Sequence, residues 1–168
     1  MAGEPIVVAG NCAVVFVDEP LARDGASNGA ARQWPAAVKI AEAVAAPLLD
    51  LRNGGDFVVD EELMIKLMRL ERRSLILAGA LLEGAVTQIA LSTLVEGYDV
   101  YVCVDLTGTE DLAREALFLE RIRCCAGHIV TSRQVLLELL SQESDLAKRK
   151  TLLTLLEAGA SRGRGKPM

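Results

Sequence analysis

Two aspartates stand where acid–base chemistry is possible, because each directly follows an apolar run. Asp18 follows residues 13–17, and Asp105 follows residues 100–104. If these runs are parallel strands, both carboxylates lie at the carboxyl ends of strands, where open α/β sheets bind ligands. Asp18 either acts as a general base or pins the neighbouring loop. For Asp105 a structural role is favoured, because the Thr-Gly-Thr at 107–109 supplies hydroxyl and N–H partners.

An anion or oxyanion site is predicted at the start of the helix that lies between the two later apolar runs. The chain reads Leu82-Glu83-Gly84 at this point. A helix that begins at Gly84 directs backbone N–H groups toward the carboxyl edge of the sheet. We therefore expect Leu82, Glu83, Gly84 and Asp105 to line a substrate or ligand site. For Glu83 the favoured role is that of a negative charge at the positive end of the helix.

The stretch 74–109 predicts a strand–helix–strand unit that positions these residues. Its two apolar runs, 75–80 and 100–104, are almost continuous, as in strands that are buried on both faces. The segment between them has the usual length of a helical crossover. Gly97 suits the left-handed residue that ends a helix.

Strands and helices alternate along the rest of the chain, which predicts an α/β fold: a three-layer sandwich with a mostly parallel sheet of about five or six strands. A single domain is expected over residues 1–158, with a disordered tail at 159–168. Residues 5–9 are expected to form an edge strand or hairpin arm, and residues 19–31 a loop. Further strands are predicted at 13–17, 48–51 and 129–130, and further helices at 34–45, from 61 after an Asp60 cap, 110–125 after a Thr109 cap, 132–140 after Thr131 or Ser132, and 145–158.

Composition excludes several classes of function. The net charge is −5, which disfavours nucleic acid or an anionic membrane as a partner. No apolar run approaches the length of a membrane span, and no secretory signal is visible. Four cysteines and one histidine, without a Cys-x-x-Cys pair, form no usual zinc set, so no metal and no cofactor are predicted. Free thiols indicate a reducing cytoplasm.

The cysteines are predicted to be structural. Cys103 lies in the middle of a strand, and Cys12 precedes the first strand, on the wrong side of the sheet for the ligand site. Cys124 and Cys125 close a helix. None of the four stands at a helix N-terminus, where the pKa of a thiol would be lowered.

Three segments carry a resemblance to a known family. They are AVVFVDEP at 13–20, the central unit described above, and AGHIVTSRQVLLELL at 126–140. Together they resemble the isochorismatase-like cysteine hydrolases, and the last is similar to a branch of small oligomeric members of unassigned substrate. The resemblance implies an Asp at the end of the first strand, a Lys in mid-chain, and a nucleophilic Cys at the start of the central helix. It also implies a non-proline cis peptide before that Cys, with backbone N–H groups that form an oxyanion hole.

The chain departs from this pattern at two of the three positions. Asp18 falls on the Asp, but Ala85 falls on the nucleophile, and no lysine occurs between Lys39 and Lys66. Arg52 is near the expected site, although no motif places it on the Lys. Alanine offers no nucleophile, so a thioacyl intermediate cannot form at position 85.

Two hypotheses about function follow. The favoured one is a family member without cysteine-hydrolase activity that acts as a binding or assembly protein. The alternative is a hydrolase of a small amide or vinyl-ether substrate, in which Asp18 activates water. Either would take a small-molecule ligand and form a homo-oligomer, since members of the family commonly assemble through late helices. The leucine-rich segment 146–156 serves such an interface or simply covers the sheet.

Overall fold

A computed structural model describes residues 7–18, 28–51 and 59–162 of the chain. These residues form one sheet of five parallel strands with helices on both faces. The strands are β1 (Cys12–Asp18), β2 (Leu48–Leu51), β3 (Ser74–Ala80), β4 (Asp99–Thr107) and β5 (His128–Val130), in the spatial order β2-β1-β3-β4-β5. The helices are α1 (Asn28–Val44), α2 (Glu61–Arg69), α3 (Thr87–Val95), α4 (Glu115–Cys124), α5 (Ser132–Gln142) and α6 (Leu146–Arg162).

Two apolar clusters, one on each face of the sheet, define the helix layers. Strand side chains alternate between faces with a period of two, so neighbours in β1 enter different clusters. Val14 and Phe16 pack with α1, α5 and α6, whereas Val15 and Val17 pack with α2, α3 and α4. Both clusters are mainly aliphatic, apart from a few aromatics such as Phe16, whose ring meets that of Trp34 edge to face at 5.0 Å. The predicted three-layer α/β/α sandwich is confirmed.

Several predicted helix ends are confirmed by their hydrogen bonds or dihedral angles. Asp60 caps α2, because its Oδ1 accepts a hydrogen bond from the Leu63 N–H at 2.9 Å. Gly97 follows α3 with φ +86°, a conformation that glycine adopts without a steric penalty. Thr131 and Gln134 form a reciprocal capping box at the start of α5.

Helix α1 begins six residues earlier than predicted. Residues 19–27 of the expected loop lie outside the described residues, but residues 28–31 are helical. Pro35 therefore lies inside the helix and not near its start. The reason is the local composition, because Ala30, Ala31, Ala36 and Ala37 carry the highest helix propensity and offset the missing N–H of Pro35.

Helix α4 begins later than predicted, at Glu115 and not at Glu110. The hydroxyl of Thr109 accepts a hydrogen bond from the Asp111 N–H at 3.1 Å, so it organises a turn and does not cap α4. The Glu110 N–H is also withdrawn from any helix, because it donates to Oε1 of Glu83 at 2.8 Å. The segment 110–114 consequently connects β4 to α4 as a turn.

The prediction of an edge strand or hairpin arm at residues 5–9 is wrong for residues 7–9, which are the part that the structure describes. Residues 5 and 6 lie outside the described residues, and Val7 and Val8 lead into a short 3-10 turn at Ala9–Asn11. Val7 is fully buried, and its N–H donates to Oε2 of Glu138 at 3.0 Å. A side chain on α5 thus satisfies the amide that a strand partner would have taken.

Two further differences concern surface residues. The spacing of Met68 along α2 favours the inner face of this helix, but its side chain is 66% exposed. Helix α6 continues to Arg162, four residues beyond the expected end at Ala158, and the rest of the expected tail, 163–168, lies outside the described residues. Within the described part of the chain, no helix combines the length and apolar character that crossing a membrane requires.

Candidate functional site

The strand order has its switch point between β1 and β3. The chain leaves β1 for α1 on one face of the sheet, and leaves β3 for α3 on the other face. Such a switch point opens a crevice at the carboxyl ends of the two strands. The ladder there pairs Val17 with Gly79 and Asp18 with Ala80. The backbone of Asp18 therefore lies at the crevice, beside the start of the loop that follows β3.

Gly79 allows β1 and β3 to approach at this point. Its φ is +118°, and a β-carbon added to it would lie 1.8 Å from the carbonyl oxygen of Val17. Its own carbonyl accepts a hydrogen bond from the Gly108 N–H at 2.8 Å. Only glycine fits both the dihedral angle and the contact. The end of β3 is thereby fixed to the β4 loop as well as to β1.

The loop after β3 contains a cis peptide and a π-helical turn. The cis bond joins Ala80 to Leu81, so it is a cis peptide that does not involve proline. The π-helical turn spans Leu82–Val86. The resemblance implied a cis peptide in this loop, and that expectation is confirmed. The predicted helix start at Gly84 is wrong, because the regular helix α3 begins at Thr87. π-Helical turns are rare in proteins as a whole, and those that occur often lie at functional sites.

Backbone amides of this loop donate hydrogen bonds within the protein. The N–H groups of Gly84 and Val86 both donate to the carbonyl of Leu81, at 3.2 and 3.1 Å. The Leu82 N–H donates to the carbonyl of Gly108 at 2.8 Å. The hydroxyl of Thr87 also donates to the carbonyl of Leu82. These three amides therefore stabilise the loop and are not directed at a bound anion.

Glu83 joins the loop after β3 to the loop after β4. Its Oε1 accepts the Glu110 N–H at 2.8 Å. Partial burial opposes ionisation, but hydrogen bonds from its own N–H, the Thr109 hydroxyl and the N–H groups of Glu110 and Asp111 outweigh it and lower the pKa of Glu83. The carboxylate thus acts as an anchor between two loops.

Asp105 is held by the start of α5. The pairing of β3 with β4 shifts between the Leu77–Val102 pair and the Gly79–Thr107 pair, which leaves Asp105 in a bulge. Its Oδ1 accepts the Ser132 N–H at 2.7 Å, and its Oδ2 accepts the Ser132 hydroxyl. The prediction that residues 107–109 supply the hydrogen-bond partners of Asp105 is wrong, because the bulge turns Asp105 toward α5.

Leu82 and Ala85 are part of the apolar core. Their exposed fractions are 1% and 2%, and both belong to the cluster between the sheet and α2–α4. Ala85, the residue that the resemblance aligns with the nucleophile, therefore packs its methyl group against this layer. Leu82 contributes packing with its side chain and one amide to the loop.

Cys103 lies on the other face of the sheet from Ala85. It is fully buried in the cluster with α1, α5 and α6, and burial raises the pKa of its thiol far above the usual range. Cys12 is buried at the amino end of β1, where burial raises its thiol pKa to about 11. Cys124 and Cys125 end α4. All four thiols are free, and Cys103 is separated from Ala85 by the sheet.

The lysines that flank the expected Lys position lie on helix surfaces, and the described residues contain no arranged set of metal ligands. Lys39 is exposed on α1, and Nζ of Lys66 pairs with Oε1 of Glu62 at 2.7 Å on the surface of α2. Arg52 lies outside the described residues. Among residues 7–18, 28–51 and 59–162, no group of three or more His, Cys, Asp or Glu side chains is arranged to hold a metal ion.

Three contacts of the site could not be found from the local sequence. They are the Gly108 bonds to the loop after β3, the Glu83–Glu110 bond, and the Asp105–Ser132 bond. The Thr-Gly-Thr at 107–109 was the only signal, since it marked this loop as rich in hydrogen-bonding groups. The two residues of the Glu83–Glu110 bond, like those of the Asp105–Ser132 bond, are 27 positions apart in sequence.

The chain is thus a parallel α/β sandwich with an aspartate at the end of β1 and a cis peptide at the end of β3, which are features that the resemblance to the isochorismatase-like proteins implied. The family model of the isochorismatase domain matches residues 14–134, which is more than half of the chain. The protein therefore belongs to the isochorismatase family. A comparison with curated proteins finds no match.

Solved structures share the fold at low sequence identity. The YcaC gene product of Escherichia coli, described as an octameric hydrolase of unknown specificity, is 21% identical with a TM-score of 0.74, and 96% of each chain is covered. YcaC from Pseudomonas aeruginosa, in a structure with covalent acrylamide, is 18% identical with a TM-score of 0.73, covering 97% of this chain and 100% of that one. The MAR1 ribonuclease of Caenorhabditis elegans is 18% identical with a TM-score of 0.75 and 98% coverage of both chains.

Proposed function

We propose that this isochorismatase-family protein lacks cysteine-hydrolase activity and acts as a binding or assembly protein. The observation that carries the proposal is the alanine at position 85, in the loop after the cis peptide, where the resemblance aligns the family's nucleophile. A methyl group cannot attack a carbonyl carbon, so the covalent step of a cysteine hydrolase has no acceptor there.

The positions of the thiols support the same conclusion. A replacement nucleophile would have to reach the crevice from β4, but Cys103 packs against the opposite helix layer. Its raised pKa also keeps it as a neutral thiol, which is a poor nucleophile. The hydrogen bonds of the loop also support the proposal. The N–H groups of Gly84 and Val86 both donate to the carbonyl of Leu81, so these two amides do not form an oxyanion hole.

A second candidate function is supported by the Asp18–Ala80 pair. The register brings Asp18 to the crevice without help from a cysteine. In this alternative the Asp18 carboxylate takes a proton from water as the water oxygen bonds to the carbonyl carbon of a small amide, and it returns that proton to the leaving nitrogen when the C–N bond breaks. With a vinyl ether, the double bond first takes a proton from solvent, and the water that Asp18 activates then bonds to the resulting oxocarbenium carbon, so that the hemiketal breaks down to an alcohol and a carbonyl compound. No covalent intermediate with the protein is needed.

An activity screen distinguishes the two candidates. Purified wild-type protein and Asp18→Asn are tested against isochorismate, nicotinamide and a panel of small aliphatic amides. The favoured function predicts that both proteins are inert. Turnover by the wild type that is lost in Asp18→Asn would overturn it and establish the alternative.

We further propose a homo-oligomer in a reducing cytoplasm. The E. coli neighbour is described as octameric, which supports assembly by a chain of the same fold. The four free thiols support a reducing compartment. Size-exclusion chromatography with light scattering tests the assembly, and a monomer at micromolar concentration would contradict it.

A further inference from the structure

A methionine-lined groove lies at the amino edge of the sheet, far from the crevice. It has a volume of about 460 Å³ between α2 and the turn that joins α3 to β4. One wall consists of Glu61, Met64 and Met68, which recur at helical spacing along α2. The other wall includes Glu96 and Tyr98. We call this surface the methionine groove.

The rim of the methionine groove carries two carboxylates that form no ion pair within the described part of the chain. Arg73 also lines it, but Nε of Arg73 pairs with Oδ2 of Asp99 at 3.3 Å. Neither Glu61 nor Glu96 forms an ion pair with another described residue. Burial, together with the charge of Glu96, raises the pKa of Tyr98, so its hydroxyl stays neutral at physiological pH. The groove thus offers an apolar floor between two carboxylates.

The floor is suited to a protein side chain more than to a fixed small molecule. Met68 is 66% exposed, and Met64 is only partly buried. Methionine side chains are flexible and polarizable, so they adapt to the apolar residues of a partner. A matching partner surface would carry long apolar side chains and a positive charge.

Such a surface is present on α6 of the same chain. Leu146 is 82% exposed, Leu153 is 45% exposed, and Lys150 is exposed between them. These residues are spaced i, i+4 and i+7, so they share one face of the helix. The neighbouring side of α6 is already used, since Leu152 and Leu156 are buried in the core. We call Leu146, Lys150 and Leu153 the α6 face.

The two surfaces also match in length. Leu146 and Leu153 are seven residues apart, which is about 10.5 Å along a helix. The α2 wall of the groove, from Glu61 to Met68, spans the same seven residues. Met64 and Met68 are four residues, or about 6 Å, apart, so a helix centred on them places each leucine about 2 Å beyond a methionine, within reach of that flexible side chain.

We propose that the α6 face of one copy docks in the methionine groove of a second copy. Leu146 and Leu153 cover Met64 and Met68, and the Lys150 ammonium lies toward the carboxylates of Glu61 and Glu96. The proposal rests on the homo-oligomer of the proposed function and specifies the surfaces that form it.

The position of the two surfaces determines the kind of assembly. The α6 face belongs to the helix layer of α1, α5 and α6, whereas the methionine groove belongs to the layer of α2, α3 and α4. Because the two helices lie on opposite sides of the sheet, we infer that two copies do not exchange both contacts at once. The contact is therefore head-to-tail, which produces a closed ring or an open chain with more than two copies.

A charge-swap experiment tests the docking. We expect the wild type to have a mass of more than two copies by light scattering. Lys150→Glu and, separately, Glu61→Lys with Glu96→Lys should each weaken assembly by about tenfold or more, because like charges then meet. The triple variant, which exchanges the charges, should recover assembly. Arg121→Glu is the matched control, since Arg121 is exposed on α4 outside both surfaces.

The outcomes separate this proposal from the oligomer itself. An oligomer that persists in both charge-reversed variants would overturn the docking and leave the oligomer intact. Loss of assembly in the groove variant, but not in Lys150→Glu, would assign the groove to another segment and overturn the role of α6. A monomeric wild type would overturn both. Unchanged circular dichroism of each variant would show that it is folded.

Discussion

Asp18 and Ala80 form the last pair of the β1–β3 ladder, at the carboxyl edge of the sheet. The next peptide bond after Ala80 is the cis bond to Leu81. The acidic residue and the loop that would present a nucleophile are thus fixed at the same level by strand pairing. This part of the chain has the aspartate and the cis peptide that the resemblance implied, although the loop has an alanine at position 85.

Gly79→Ala should destabilise the protein severely. The added β-carbon would lie 1.8 Å from the Val17 carbonyl oxygen, and the residue would have to keep φ +118°. Left-handed backbone and overpacking together cost about 3 kcal/mol or more in the free energy of unfolding. Urea denaturation measures the loss. Gly10→Ala is the matched control, because nothing lies within 4 Å of its β-carbon position, and an equal effect at both sites would contradict the account.

Glu83→Gln should lower stability in a pH-dependent manner. The lowered pKa of Glu83 means that its charged form stabilises the fold at pH values above the ordinary pKa of 4.5. This contribution is lost as the pH falls through the lower pKa of the folded state. We expect the variant to be about 1 kcal/mol less stable at pH 7, a value that allows for solvent screening.

The comparison is made by urea denaturation at pH 7 and again near pH 3, where the difference between wild type and variant should shrink. Glu42→Gln serves as the control, since Glu42 is exposed on α1. A difference that grows toward acidic pH would show that Glu83 is not a stabilising anion.

Asp105 and Ser132 should be energetically coupled. Asp105 accepts both the N–H and the hydroxyl of Ser132 at the start of α5, as a capping side chain does. Asp105→Ala should cost about 1 kcal/mol of stability. In a double-mutant cycle with Ser132→Ala, the combined loss should be smaller than the sum of the single losses. Strict additivity would mean that the contact contributes nothing.

The native thiols should differ widely in reactivity. Cys12 and Cys103 are fully buried, whereas Cys124 is exposed. With a thiol-reactive chromophore at pH 8, Cys124 should react at least about a hundredfold faster than Cys103, which must wait for unfolding. Peptide mass spectrometry assigns the sites. Rapid labelling of Cys103 in the folded protein would reveal access that the structure lacks, and would reopen its candidacy as a nucleophile.

The strands were predictable because a strand that is buried on both faces consists almost entirely of apolar residues. This holds for residues 75–80, which become β3, and for residues 100–104, which become the first part of β4. The helix ends at Asp60, Gly97 and Thr131 were predictable for a similar reason, since caps depend on residues a few positions away.

The details of the site were less accessible from sequence because they depend on distant segments. The bulge in β4 turns Asp105 to Ser132, and Glu83 meets Glu110 across two loops. No local pattern encodes either contact. Met68 is a related case, since its spacing fits the inner face of α2, while its side chain lines the open groove between α2 and the turn after α3.

The central claim is that no cysteine of this protein acts as a nucleophile, and ammonia release from nicotinamide and small amides tests it most directly. The native protein is assayed before and after alkylation of its accessible thiols with iodoacetamide, and Ala85→Cys is assayed in parallel. The account predicts no release above buffer by the native protein in either state. Release that alkylation abolishes would show that a native cysteine carries out the reaction, and would contradict the account.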